Sequence, residues 1–209
     1  MERNLSIKLK KHRIKRRKDF FLFVTELKDI IEKYHIKLLD NPSEVNNALL
    51  EFYSQAKNET DAFKKGERFE SFVSLLFQSI GFSNISKRVK DKSLNEVDLI
   101  IRNEIEDTFL NKFGKYILVE CKNKPKENID KNTFIVFSDK VNHTNGLSEL
   151  GILATTGYIA RTTYLQALRT SQDTKKIIFL SNIEFESLIL STNKMETFKE
   201  IIDSQVKDN

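Results

Sequence analysis

The feature that most restricts the fold of this chain is a series of short apolar segments that alternate with helical patterns after residue 60. Short apolar runs bounded by polar residues are typical of strands that are covered on both faces of a sheet. The segments between them place hydrophobic residues three and four positions apart, as amphipathic helices do. The sequence therefore predicts an α/β fold with a mixed central sheet flanked by helices. The apolar runs are VDLII, YILV, GILAT and KIIFL.

The predicted order of elements is one helix, three strands, alternating helices and strands, and C-terminal helices. Gly81 should end the first helix, because glycine readily adopts the backbone conformation that follows a helix. The second and third strands are joined by a polar segment that suits a hairpin connection. The predicted helices are 61–80, 131–143, 162–171 and one or two within 184–205, and the predicted strands are 85–89, 96–102, 115–121, 151–160 and 176–180.

Residues 1–59 have a different character, and we predict that they form a basic tail and a helical arm before a single domain over 60–209. Residues 19–39 have apolar side chains at helical spacing, and a second helix is predicted to end near residue 57. The arm could pack on the domain, lie on DNA, or contact a second copy or a partner protein. The sequence leaves these alternatives open.

Positive charge is concentrated in residues 1–18, which contain nine Lys/Arg and one acidic residue. This segment is therefore net +8, and within the total of +5 the rest of the chain is net −3. Such a cluster, including Arg13, Arg16 and Arg17, can bind nucleic-acid phosphates by releasing counterions. A solvated, frayed terminus is an equally simple explanation of the charge alone.

Composition excludes several other classes of protein. No apolar run has the roughly 20 residues that a membrane span requires, and the basic start lacks the apolar segment of a signal peptide. We therefore expect a soluble, cytoplasmic protein without membrane contact. The single cysteine, Cys121, excludes an intrachain disulfide, and with three histidines in the chain a structural zinc site is not expected. A metal site should then use carboxylates and carbonyls, which favours Mg²⁺ or Mn²⁺.

One charged motif ends a strand that is otherwise apolar. Glu120 and Lys122 are two residues apart, so they share one face of the predicted strand. Asp98 lies in the preceding strand, and the two carboxylates can meet if these strands pair. Two carboxylates and a backbone carbonyl, here that of Cys121, suit a hard divalent cation. The alternative is a salt-bridged strand end, which contributes only about 0–1 kcal/mol and has no function.

These residues also occur in a recognisable order. The segments GERFE, FVSLL and IGF are followed by EVDLI, VECKN and GILATTGY. Over roughly residues 60–182 this pattern resembles the Mrr-like branch of the PD-(D/E)xK restriction-endonuclease-like superfamily. Val97 replaces the proline of the motif name, and Glu120 replaces the glutamine that Mrr-like proteins often carry. The resemblance implies a Mg²⁺-dependent or Mn²⁺-dependent endonuclease with Glu70, Asp98, Glu120 and Lys122 as catalytic residues.

The resemblance implies DNA as the substrate and a role in restriction or anti-phage defence, and a homodimer would provide two active sites. Further phosphate contacts are predicted at Lys87, Arg88, Asn123 and Lys124, although each is more often a solvated surface residue. The alternatives are a DNA repair or recombination nuclease, an RNA-directed nuclease, and a non-catalytic nucleic-acid-binding or assembly subunit that retains the fold.

Overall fold

The computed structural model describes residues 42–90, 96–144, 146–169 and 175–207. The predicted helix at 19–39 and the basic tail, with Arg13, Arg16 and Arg17, lie outside the described residues.

The helices are α1 (Pro42–Asn58), α2 (Ala62–Ile80), α3 (Lys131–Asn142), α4 (Arg161–Arg169), α5 (Asn182–Leu190) and α6 (Lys194–Lys207), with a short 3₁₀ helix at Leu110–Phe113. The strands are β1 (Ile85–Lys90), β2 (Glu96–Arg102), β3 (Tyr116–Lys122), β4 (Asn128–Ile129), β5 (Ser148–Thr155), β6 (Tyr158–Ile159) and β7 (Lys176–Leu180).

The central sheet has five strands in the order β1-β2-β3-β5-β7. β1, β2 and β3 are antiparallel neighbours, whereas β5 is parallel to β3 and β7 is parallel to β5. This arrangement confirms the predicted mixed sheet of an α/β fold. The short strands β4 and β6 form a separate parallel pair. The predicted strand at 151–160 was wrong at its end, because the chain turns after Thr155 and only then enters β6.

Helices cover both faces of the sheet, so the core has two layers. On one face, apolar residues of α1, α2, α5 and α6 pack with strand residues such as Leu99, Val119 and Ile152. On the other face, α3 and α4 pack on Leu118, Leu153 and neighbouring residues. Burying both faces explains why the central strands are almost entirely apolar, as the sequence indicated.

α2 has clear signals at both ends. The Asp61 carboxylate accepts hydrogen bonds from the backbone N–H groups of Phe63 (3.1 Å) and Lys64 (3.0 Å), which satisfies two donors at the start of the helix. Gly81 follows the last turn with φ +125°, a conformation that strains other residues. The predicted stop at Gly81 is confirmed.

α1, α2 and α5 are joined by an aromatic cluster. Tyr53 of α1 lies 4.8 Å from Phe72 of α2 and 5.4 Å from Phe185 of α5, measured between ring centroids. Phe69 and Phe185 meet edge to face, with their centroids 5.8 Å apart. Because α1 contributes Tyr53 to this cluster, the packed core begins earlier in the chain than residue 60.

From Val45 onward, the described residues form one compact unit. This unit contains the whole central sheet and both of its helical layers. Within the described residues, no helix is both long enough and apolar enough to cross a bilayer.

Candidate active site

Asp98 lies where the regular pairing of the sheet is interrupted. β2 pairs with β3 up to Leu99 and Val119, so Asp98 is the next residue of β2 beyond that pair. On the other side of β2, the pairing with β1 includes Leu99 and Val97 but does not include Asp98 between them. Asp98 Oδ2 instead accepts the backbone N–H of Cys121 at 2.7 Å. The Asp98 carboxylate therefore takes the place of a backbone carbonyl as the acceptor for this N–H group, and it is held beside the end of β3.

Glu120 and Lys122 meet at the end of β3, as the two-residue period predicted. Lys122 Nζ donates to Glu120 Oε1 at 2.7 Å. The other oxygen, Oε2, accepts from Lys140 Nζ of α3 at 2.9 Å. Glu120 is only 7% exposed, so two ammonium groups offset the charge of a nearly buried carboxylate.

Glu120 is close enough to Asp98 to affect the ionisation of the Asp98 carboxyl group. Burial and the negative charge of Glu120 raise the pKa of Asp98 to about 6, although the Cys121 N–H and Lys122 act in the opposite direction. Burial alone would lower the pKa of Lys122, but Glu120 and Asp98 outweigh it and raise that pKa above its usual value. Lys122 is therefore protonated at neutral pH and can serve as a fixed positive charge.

Glu70 projects from the buried face of α2 and is 8% exposed. The Arg88 guanidinium donates to both of its oxygens, from Nε at 3.1 Å and from Nη2 at 3.2 Å. Arg88 has φ +50°, an unusual backbone conformation for a residue other than glycine. The charge of Glu70 also contributes to the raised pKa of Asp98, so Glu70 lies near the strand carboxylates, but it is already paired.

Two of the predicted DNA contacts in β1 point toward α2. Arg88 binds Glu70, and Lys87 Nζ donates to Ser71 Oγ at 2.8 Å. Burial lowers the pKa of Lys87, although the charge of Glu70 opposes that shift. Each side chain therefore already has a partner on α2, and a phosphate would have to use its remaining donors.

Asn123 and Lys124, the other predicted DNA contacts, differ from each other. The Asn123 amide donates to the backbone carbonyls of Ala56 (2.8 Å) and Lys65 (2.7 Å), and its Oδ1 accepts from Thr156 Oγ1 at 2.8 Å. Asn123 thus ties the end of β3 to α1 and α2. Lys124 is exposed and pairs with Glu127 at 2.8 Å, so its ammonium remains accessible to a phosphate.

Lys140 was not among the residues singled out in the sequence. It follows buried Phe137 by three residues and precedes buried Val141, so helical periodicity places it at the edge of the buried face of α3. A lysine beside buried positions could have indicated a buried acidic partner, because a charged side chain is seldom buried unless it is paired. The sequence did not show that its partner is Glu120.

The donor set fits a hard divalent cation. Among the described residues, no group of three or more His, Cys, Asp or Glu side chains is arranged to hold a metal ion. Asp98 and Glu120 nevertheless supply two carboxylates, and Mg²⁺ is commonly bound through one or two carboxylates with water completing its shell. A cation between them would also relieve the repulsion by Glu120, which together with the larger effect of burial raises the pKa of Asp98.

The fold and the site define an α/β protein of the restriction-endonuclease-like class. The family model described as restriction endonuclease, that of the Mrr catalytic domain, matches residues 62–189. The chain therefore belongs to this family. The matched span contains Glu70, Asp98, Glu120 and Lys122. A comparison with curated proteins finds no match.

Proposed function

We propose that the protein is a divalent-cation-dependent endonuclease that hydrolyses phosphodiester bonds of DNA. The observation that supports this proposal most strongly is the convergence of Asp98, Glu120 and Lys122 at the ends of adjacent strands, within the span matched by the restriction-endonuclease family. Family membership supports nuclease chemistry, and the oxygen donors support the cation.

Asp98, Glu120 and the Cys121 carbonyl are the proposed ligands, with Mg²⁺ as the natural cation and Mn²⁺ as a substitute. When bound, the cation would activate water and stabilise charge on the scissile phosphate. Asp98 is held for this role by the Cys121 N–H. Glu120 Oε1 accepts a hydrogen bond from Lys122 Nζ.

Lys122 is the proposed residue that contacts the reacting phosphate or the attacking water. Its ammonium lies at the strand end, it is less buried than Glu120, and its raised pKa keeps it charged. A positive charge placed where negative charge develops lowers the barrier to phosphodiester hydrolysis. Glu70 would position water beside this group if it separates from Arg88.

We further propose that the enzyme acts in the cytoplasm in restriction or anti-phage defence. Lys124 is a proposed phosphate contact, because it is exposed two residues after the end of the strand that carries Glu120 and Lys122. The basic segment at residues 1–18, with Arg13, Arg16 and Arg17, would supply sequence-independent affinity for DNA.

The test is cleavage of supercoiled plasmid in Mg²⁺, Mn²⁺ or EDTA, with modified and unmodified DNA. Asp98→Ala and Lys122→Ala should abolish nicking and linearisation. Lys115→Ala is the matched control, because Lys115 is an exposed lysine that precedes the opposite end of β3. Cleavage of a single-stranded RNA, compared with cleavage of a single-stranded DNA of the same length, shows whether the enzyme prefers ribose or deoxyribose. Plasmid that stays intact with wild-type protein under every condition, despite DNA binding, would favour a non-catalytic binding subunit.

A further inference from the structure

Glu120 has a second lysine partner that the proposed chemistry does not use. Lys140 Nζ lies 2.9 Å from Glu120 Oε2 and also donates to the backbone carbonyl of Glu96 at 2.7 Å. It thereby links the end of β3, the start of β2 and α3. This side chain is 16% exposed, compared with 31% for the side chain of Lys122.

The two lysines are held differently. Glu120 Oε1 binds Lys122, for which the described residues offer no second hydrogen-bond acceptor, whereas Oε2 binds Lys140, which is anchored at Glu96 as well. If Lys122 turns toward a phosphate, Glu120 loses one partner but keeps the other. A nearly buried carboxylate without any cationic partner would be strongly destabilising.

We propose that Lys140 is a positioning residue that holds Glu120 in place and offsets its charge, which frees Lys122 to contact the substrate. This proposal rests on the proposed function for the role of Lys122, but the contact between Lys140 and Glu120 can be tested without cleavage. Lys140 does not touch the reacting atoms. It acts through the orientation and charge of Glu120.

A consequence follows for cation binding. The Lys140 ammonium lies against an oxygen of the carboxylate that a divalent cation would bind, so the two positive charges oppose each other. A unit charge within a few ångströms weakens binding of a divalent cation by roughly tenfold or more, even with water-like screening. Removing the lysine should therefore strengthen cation binding while leaving Glu120 less well oriented for catalysis.

The experiment compares wild type with Lys140→Met, and Lys131→Met serves as the matched control. Lys131 is an exposed lysine in the first turn of the same helix. Mn²⁺ affinity is measured without DNA, and melting temperature is measured with and without Mn²⁺. Lys140→Met should bind Mn²⁺ roughly tenfold more tightly than the control. Its melting temperature should be lowered without Mn²⁺ and largely restored by it, because the cation replaces the lost positive charge.

Plasmid cleavage then separates positioning from substrate contact. Lys140→Met should lower kcat by about 10–100-fold, the usual effect of losing a group that orients a metal ligand, with KM within about threefold of wild type. Lys140→Arg, which retains the charge and the donors, should recover most of the lost turnover. Lys140→Gln provides a second neutral variant if the methionine form does not fold.

Mn²⁺ affinity equal to that of Lys131→Met, together with a melting temperature that Mn²⁺ does not restore, would overturn the proposal. Lys140 would then only brace α3 against the sheet. These measurements do not require cleavage, so they decide the role of Lys140 even if the wild-type protein proves inactive on DNA. Absence of cleavage alone would contradict only the proposed function.

Discussion

Asp98→Asn should stabilise the cation-free protein at neutral pH while abolishing cleavage. The folded-state pKa of Asp98 is raised from 3.8 to about 6 by burial and by Glu120. A raised carboxyl pKa means that stability is fully present below about pH 4 and is lost as pH rises through about 6. Asparagine removes the charge but retains an oxygen that can accept the Cys121 N–H.

The magnitude follows from the size of the shift. A shift of about two pKa units corresponds to about 3 kcal/mol at pH 8, which we reduce to about 2 kcal/mol because Asp98 retains some contact with water. For a domain of this size, that difference should raise the melting temperature by about 4–8 °C. The gain should shrink steadily between about pH 6 and pH 4.

The assay is thermal unfolding in EDTA at a series of pH values from 4 to 8, monitored by calorimetry or circular dichroism. Glu51→Gln is the control, because it removes an exposed carboxylate from the middle of α1. The reasoning is refuted if Asp98→Asn is less stable than wild type at pH 8. It is also refuted if the difference between the two proteins does not change with pH.

Two further substitutions test the support of the site. Gly157→Ala should lower the melting temperature by several degrees and reduce cleavage. A Cβ atom at this position would lie 2.2 Å from the Glu127 carbonyl oxygen and 2.3 Å from the Lys124 carbonyl oxygen. A normal thermal melt with full activity would contradict this prediction. Asn123→Ala should cost about 2 kcal/mol, measured by urea unfolding, because it removes the two hydrogen bonds from the Asn123 amide to the carbonyls of Ala56 and Lys65. An unchanged midpoint with weaker DNA binding would instead favour the phosphate contact predicted from the sequence.

Local signals in the sequence were sufficient for most of the fold. The helix over 61–80 was predictable because its apolar spacing and the glycine at its end are both local, and α2 occupies Ala62–Ile80. The end of the strand predicted at 151–160 was not predictable in this way. The chain turns there because Gly157 lies against the carbonyls of Lys124 and Glu127, a contact between segments about 30 residues apart.

The same distinction applies to the candidate site. The meeting of Glu120 and Lys122 follows from strand alternation within one segment, and the position of Asp98 beside them follows from pairing of β2 with β3. Glu70 pairs with Arg88 where Arg88 has a positive φ, and the contact of Lys140 with Glu120 depends on how α3 packs on the sheet. These two contacts depend on tertiary packing, so neither pair of partners could be predicted from local spacing. The catalytic roles of the predicted residues remain predictions.

The charges of the strand-end cluster bear on the order in which ligands should bind. With both carboxyl groups ionised, Asp98 and Glu120 carry two negative charges, and Lys122 and Lys140 balance them. A divalent cation would enter a cluster that is already neutral, so it would gain little net attraction there. A DNA phosphate would add the missing negative charge and draw Lys122 away from Glu120. On the proposed function, the cation and the DNA should therefore strengthen each other's binding, which would limit cation occupancy when no substrate is present.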